Sequence, residues 1–321
     1  MKQVEHLLGY RASIKVMDAT LRDGGLVNDF YFTDDFVKAL YKTNLEAGVD
    51  YMEMGYRASK KVFDETKFGK WKFCSDDHIR EIVGENDTDL KLAIMADIGR
   101  HDKNDFDEKV NSPVDMVRVA AYIHQMPEAI DMIEDAHKKG YETTCNIMAI
   151  SQTQESDLKV ALDMLGKTPV DTIYIVDSFG SIYPEEMKRI VDIYMEAATK
   201  YGKQLGVHAH NNQQLAFANT IEACGDGVNW LDATYKGMGR GAGNCAMELL
   251  LGFLKNPKYN TYPVFRFISD YMVKLEEDGV VWGYDLQCLM TGQLNQHPRA
   301  AIKFTKDKRK YYAEFYKELI V

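Results

Sequence analysis

Cysteine is scarce and poorly spaced for a structural role. The chain has five, Cys74, Cys145, Cys224, Cys245 and Cys288, and no two of them form a CxxC pair. An odd count without paired spacing argues against a disulfide framework or a thiolate zinc cluster, and predicts a reducing compartment. Long apolar runs are missing as well. No segment approaches the roughly 18 uninterrupted apolar residues of a membrane span. Residues 1–13 mix charge and polarity and lack the apolar centre of a signal peptide, so a cytoplasmic protein is expected. Positive charge is in deficit, with 39 basic against 49 acidic residues and a formal net charge of -10. A nucleic-acid partner calls for a basic stripe, and the single dense basic run, Lys303 to Lys310, reads as solvated surface. Apolar residues, by contrast, make up 45% of the chain, which rules out a disordered or collagen-like protein and allows a large core.

The pattern along the chain alternates. Short apolar or β-branched runs fall at 14–20, 49–54, 90–98, 116–122, 143–150, 172–176, 205–210 and 228–233. Each leads into a stretch of helical period, at 34–47, 76–83, 104–110 (the weakest), 127–139, 155–165, 184–200, 213–223 and 245–254. Pro127 and Pro184 sit where a first helical turn tolerates a missing N–H. Gly140, Gly202 and Gly225 sit where a left-handed closing residue is wanted. Leu158, Ala161, Leu162 and Leu165 form one apolar stripe. Eight such units in about 240 residues predict a TIM (β/α)₈ barrel over residues 1–257. A doubly wound open sheet also alternates, but usually with fewer strands and a switch point. From residue 258 to 321 the rhythm changes to helices at 264–278 and 311–319, a C-terminal helical extension that could fold over the barrel mouth or carry a subunit contact. One pentapeptide recurs, Gly9-Tyr10-Arg11-Ala12-Ser13 as Gly55-Tyr56-Arg57-Ala58-Ser59, at non-equivalent places in the strand–helix pattern.

Three pieces carry chemistry. His208-Ala209-His210 ends the seventh strand, and residues i and i+2 of a strand share a face, so two imidazoles project together. They read either as divalent-metal ligands or as a hydrogen-bonded pair. Arg22-Asp23-Gly24-Gly25 ends the first strand. The two glycines free the backbone to turn away, Asp23 offers a hard oxygen ligand, and Arg22 offers a fork of donors for a carboxylate or an enolate. Gly237-Met238-Gly239-Arg240-Gly241-Ala242-Gly243-Asn244 follows the eighth strand and leads into a helix, a turn suited to an anion or to a tight connection alone. It lacks the Walker Gly-Lys-Ser/Thr ending and the chain position of a dinucleotide fingerprint.

Together, Leu21-Arg22-Asp23-Gly24, His208-Ala209-His210-Asn211 and Gly237 to Asn244 resemble the DRE-TIM metallolyase superfamily. That group holds hydroxy-oxo-acid aldolases, the hydroxymethylglutaryl-CoA lyases, and the isopropylmalate and homocitrate synthases. The resemblance spans residues 14 to about 255 and is strongest to the 4-hydroxy-2-oxovalerate aldolase-like branch. It implies that Asp23, His208 and His210 bind a divalent metal, Mn or Mg with Zn as a further fit, that Asn244 is an additional ligand, and that Arg22 stabilises an enolate. It also implies a class II aldol or retro-aldol lyase acting on a 2-oxo acid such as a 4-hydroxy-2-oxo acid, with pyruvate and an aldehyde as the halves. The partners expected are small molecules and a second copy of the chain, with a dehydrogenase as a further partner in some aldolases of this kind. The alternative is an acyl-CoA condensing synthase. One departure matters: the aldolases carry a catalytic His three residues after the metal Asp, and here that residue is Leu26. His297 in the extension and His101 after the third strand are the expected replacement acid/base residues. Glu53, Asn146, Asp177, Gly239 and Gly241 are the expected substrate-binding residues beside Arg22.

Overall fold

The computed structural model describes residues 11–102 and 105–321; Gly9 and Tyr10 of the first pentapeptide copy, and Asn104, lie outside them. Eight parallel strands close in chain order into one barrel: β1 (Lys15–Asp18), β2 (Tyr51–Tyr56), β3 (Lys91–Asp97), β4 (Met116–Ala121), β5 (Glu142–Ile147), β6 (Thr172–Asp177), β7 (Gln204–Ala209) and β8 (Trp230–Ala233), with β8 paired back onto β1. The fold is the expected TIM barrel.

Period-two alternation explains how each strand serves two layers. In β4, Val117 and Val119 join the apolar layer under the helices, while Met116 faces the barrel centre. The barrel floor is filled by Met17, Tyr51, Ala93, Met116, Tyr174, Val176 and Trp230. Gly206 is needed there, because a Cβ on it would sit 2.5 Å from the Tyr174 ring. Two residues further along their strands, Glu53, Arg118, His208 and Asp232 replace the apolar floor with charge, all of them buried.

The helices follow the local signals closely. One short turn, α1 (Thr20–Gly24), follows β1. Then come α2 (Asp34–Ala47), α3 (Asp76–Val83), α4 (Met126–Lys138), α5 (Glu155–Gly166), α6 (Pro184–Tyr201), α7 (Ala216–Gly225) and α8 (Met247–Phe253). Thr33 Oγ1 accepts from Phe36 N to start α2, and left-handed Gly48 and Gly202 close α2 and α6. Three local expectations are corrected. Gly225 is the last helical residue of α7, and Gly227 takes the positive φ instead. The weak helix at 104–110 shrinks to one 3₁₀ turn at Lys109–Asn111, since Phe106 is the single buried anchor among Asp105–Val110. The chain does not turn away at Gly24-Gly25 but continues helically. Gly25 has φ -58 and is needed for space, with a Cβ there falling 2.2 Å from the Phe30 ring.

After α8 the extension divides. Its first part, α9 (Thr261–Phe267), a π turn (Ile268–Met272) and α10 (Val273–Glu277), packs on α2, with Phe267 and Phe36 rings 5.1 Å apart. Its second part, α11 (Leu286–Gln293), α12 (Arg299–Lys306) and α13 (Tyr312–Leu319), forms a small core of Cys288, Ala301, Phe304 and Phe315 against Ala242 of the glycine-rich turn. α11 and α12 were not visible as periodic segments. Among the described residues no helix is long and apolar enough to cross a membrane.

Candidate active site

The site lies at the C-terminal ends of the strands. The extended end of β7 projects His208 and His210 together, their rings 5.2 Å apart. A backbone bridge between His210 and Asn244 seats the glycine-rich turn beside them. α1 swings Asp23 in from β1. Asp23 Oδ2 lies 3.7 Å from His208 Nε2 and 3.8 Å from His210 Nε2, and it also accepts from Asn244 Nδ2. The three ligand-capable groups Asp23, His208 and His210 are all buried, with donor atoms within 4.8 Å of one another.

The donor chemistry fits a divalent ion. His208 Nε2 and Asn244 Oδ1 are buried without a hydrogen-bond partner among the described residues, beside a carboxylate. Leaving such atoms unmet is costly unless something else satisfies them. His208 Nδ1 is held by Asp232 Oδ2 at 3.0 Å, the carboxylate–imidazole support that orients a metal ligand. Burial, reinforced by Arg240, holds His210 well below its ordinary pKa even though Asp23 pulls the other way. Burial and Arg22 disfavour charge on His208, but Asp23 and Asp232 outweigh them and raise it. Burial likewise opposes charge on Asp23, and His210, Arg22 and His208 overcome it and hold the carboxyl well below the usual range. Gly239 makes room for this cluster: a Cβ on it would lie 2.1 Å from Asn244 Nδ2 and 2.8 Å from Asp23 Oδ2.

Beneath the cluster the charges form a circuit. Arg22 Nη1 reaches Asp23 at 3.1 Å and Arg22 Nε reaches Glu53 Oε2 at 2.8 Å. Arg118 donates to the same Glu53 oxygen at 2.8 Å and to Asp232 Oδ2 at 2.7 Å. Asp232 returns to His208. The Arg118 guanidinium also lies 4.5 Å over the Tyr174 ring of the floor.

Above the cluster opens a small cavity of about 60 Å³. Arg22, Asp23, His208 and His210 line it, as do Tyr56, Tyr122, Asn146, Ser178, Arg240 and His297, with Leu26, Met95, Met148 and Phe179 as its apolar wall. His297 arrives from the loop before α12. That loop is pinned by Asn295, whose Oδ1 accepts from Ser151 and Ser181 at 2.7 and 2.9 Å.

This geometry, a carboxylate and two imidazoles at the mouth of a closed parallel barrel, coincides with a sequence match. Residues 13–266 fit the HMGL-like family model. The chain belongs to the HMGL-like family. Among its relatives is an oxaloacetate decarboxylase of Mycobacterium tuberculosis, 28% identical over 75% of this chain and 69% of the relative. A 4-hydroxy-2-oxovalerate aldolase of Thermus thermophilus is 29% identical over 76% of this chain and 70% of the relative. Among solved structures, the N-terminal domain of a protein from Bacteroides vulgatus named as an aldolase superposes with TM-score 0.77 and 29% identity, covering 91% of this chain and 97% of that one.

Within this HMGL-like barrel the expected site residues divide. Arg22, Asp23, His208, His210, Asn146 and His297 line the cavity, and Asn244 touches Asp23. Glu53 lies below, in the charge circuit. Gly239 packs on Asp23 and Asn244, and Gly241 lies against Asn212 and Cys288. Two residues point away from both the cavity and the charges beneath it. His101 turns outward, donating from Nδ1 to the Arg57 carbonyl at 2.9 Å and stacking on Phe106. Asp177 faces its own loop, accepting from Ser181 N and Ile182 N at 3.1 and 3.2 Å, and burial pushes its carboxyl up to about 7. Arg118, Asp232, Arg240 and Tyr56 were not anticipated as site residues. A charge within an otherwise apolar strand, as in Met116-Val117-Arg118-Val119 and Trp230-Leu231-Asp232-Ala233, was the available signal. Tyr56 sits in the second copy of the recurring pentapeptide.

Proposed function

We propose that this HMGL-like protein is a divalent-metal lyase that cleaves or forms a carbon–carbon bond next to a 2-oxo acid. The observation that carries this reading is the buried Asp23, His208 and His210 cluster with Arg22 beside it at the barrel mouth. The relatives named as aldolases and as an oxaloacetate decarboxylase support it. Asp23, His208 and His210, with Asn244 at hand, would hold Mn²⁺, with Mg²⁺ and Zn²⁺ as alternatives. The ion would supply Lewis-acid polarisation of the 2-oxo group.

The chain's own residues do the rest. Arg22 is already locked by Glu53 and Asp23, so its charge needs no reorganisation to stabilise the oxygen that becomes an enolate when the C3–C4 bond breaks. Leu26, Met95, Met148 and Phe179 give that wall an apolar surface that keeps water from the enolate. Asn146 and Tyr122 offer polar groups to orient the substrate.

The proton balance favours a second reading within the same class. A retro-aldol step needs a base for the 4-hydroxyl proton. The turn after Asp23 presents Leu26. His297 Nδ1 accepts from Arg299 N at 3.1 Å, so its neutral ring carries the proton on Nε2 and presents a donor to the cavity. Decarboxylation of a 3-carboxylated 2-oxo acid needs no such base. The C3–C4 bond breaks, carbon dioxide leaves, and the enolate takes one proton.

Both readings pass through the enolate of a 2-oxo acid, so enolisation is the test. Protein, Mn²⁺ and pyruvate in D₂O are expected to show metal-dependent loss of the pyruvate methyl proton signal, and Asp23→Asn is expected to abolish it. Absence of exchange with metal demonstrably bound refutes the proposal. Release of CoA from acetyl-CoA with a 2-oxo acid would establish the condensing alternative instead.

A further inference from the structure

The cavity contains a second guanidinium that the enolate chemistry does not use. Arg240 stands in the glycine-rich turn. Its Nη2 donates to the Ser178 carbonyl at 2.8 Å, which fixes the side chain against the β6 loop. Its Nε is buried without a hydrogen-bond partner among the described residues, and no carboxylate among them lies within ion-pair distance of it. Arg22 differs, since two carboxylates already neutralise it. In a chain of net charge -10, an arginine in a cavity without an acidic partner marks a place for a negative ligand.

The neighbour of Arg240 strengthens the point. Arg240 Nη1 and His297 Nε2 are 3.5 Å apart. With His297 Nδ1 committed to accepting from Arg299 N, Nε2 carries the ring proton. Two donors therefore face each other with no acceptor between them. Protonation of His297 does not relieve this: burial, with Arg240, Arg299 and Arg100 nearby, drives its pKa to about 3. An oxygen anion between Arg240 and His297 would satisfy both donors and pair the Arg240 charge.

We propose that Arg240 and His297 form a clamp for a second carboxylate, so that the substrate is a 2-oxo diacid rather than a 2-oxo monoacid. This rests on the 2-oxo-acid reading above and narrows it. Both cleavages considered there have diacid forms. A 4-hydroxy-2-oxo diacid divides into pyruvate and a carboxylated aldehyde, the hydroxyl proton leaving and C3 gaining one. A 3-carboxylated 2-oxo acid divides into pyruvate and carbon dioxide. His297 is on this view a binding residue, and the extension that carries it determines specificity.

The test uses two stable acids of equal length, 2-oxoglutarate and 2-oxopentanoate, which differ by a carboxylate in place of a methyl group. Calorimetric titration of the Mn²⁺-loaded protein is expected to show 2-oxoglutarate binding about 10- to 100-fold more tightly, the scale of a charged hydrogen-bonded pair. Arg240→Met should remove the preference, Arg240→Lys should keep part of it, and His297→Phe should weaken it. Equal affinities in the unaltered protein, a preference undiminished in Arg240→Met, or binding of neither acid would each overturn the clamp. If Arg240→Met does not fold, loss or retention of the preference in His297→Phe decides the matter. Turnover gives a parallel reading, as the ratio of kcat/KM for 4-hydroxy-2-oxoglutarate over 4-hydroxy-2-oxovalerate. Pyruvate exchange requires no second carboxylate, so the two proposals fail separately. Exchange without a diacid preference removes only the clamp, and a diacid preference without exchange removes only the lyase reading.

Discussion

The charges below the site and the charges above it are arranged by opposite rules. Below, Arg22, Glu53, Arg118, Asp232 and His208 are buried, and each cation meets a carboxylate at 2.7 to 3.1 Å. Above, Arg240 has no carboxylate partner among the described residues, and His297 faces it donor to donor. A buried ion pair seldom adds much net stability, but removing one member strands the other at a high cost. The lower circuit therefore fixes geometry, holding Arg22 and His208 where they are wanted. The upper pair leaves Arg240 Nε and the facing Arg240 Nη1 and His297 Nε2 donors unmet, as a binding surface does before its ligand arrives. The comparison separates residues that build the site from residues that read the substrate.

Opening the lower circuit should have the largest effect. Arg118→Met leaves the Glu53 and Asp232 carboxylates buried without their shared cation, and a loss of about 3–5 kcal/mol in unfolding free energy is expected. Chemical denaturation would measure it, and a loss near zero would mean that the circuit is not held as a unit. The junction between the two regions is Gly239, which touches Asp23 and Asn244 and precedes Arg240. Gly239→Ala should weaken metal binding by about 10- to 100-fold while the fold stands, because the new methyl group meets Asn244 Nδ2 and Asp23 Oδ2 rather than the helix layer. Competition against a metallochromic chelator would read this directly.

Lys72 is an intermediate case, buried like the lower charges but without a carboxylate within ion-pair distance among the described residues. Its Nζ lies 4.2 to 5.0 Å from the Phe63, Tyr56 and Phe30 ring centres. Burial lowers its pKa from 10.5 to about 8. The unfolded chain then binds the extra proton between those two values, so stability rises with pH across that window, and the full deficit is present below pH 8. Lys72→Met should flatten that rise and stabilise the protein at pH 7 by on the order of 1–3 kcal/mol, provided the lost cation–π contacts are worth less than the desolvation. Thermal melts between neutral and alkaline pH would show it. The smallest effect should come from above: Arg240→Met, with no ion pair to break, is expected to change stability by about 1 kcal/mol or less. A loss as large as that of Arg118→Met would erase the distinction between the two regions.

How much of this was legible in advance depended on distance along the chain. His208 and His210 share a face because they are two residues apart in a strand. Asp34–Ala47 was readable from its helical period. Leu26 was legible as a departure and does line the cavity. His101 was misleading, because a position just past a strand end places a residue near the mouth but leaves its side chain free to turn outward onto Phe106. α11 and α12 escaped because their apolar residues serve a small core with the glycine-rich turn rather than a continuous stripe.

The sequence by itself determined the strands, most of the helices, the barrel and the shared face of His208 and His210, because strand and helix periods are local. Only the tertiary structure decided that Arg118 and Asp232, 114 positions apart, would meet across the barrel, and that His297 would be set against Arg240, 57 positions apart. Period tells which face a side chain takes. What lies across the lumen or over the mouth is set by barrel closure and by the path of the extension, and neither is encoded in any short stretch of the chain.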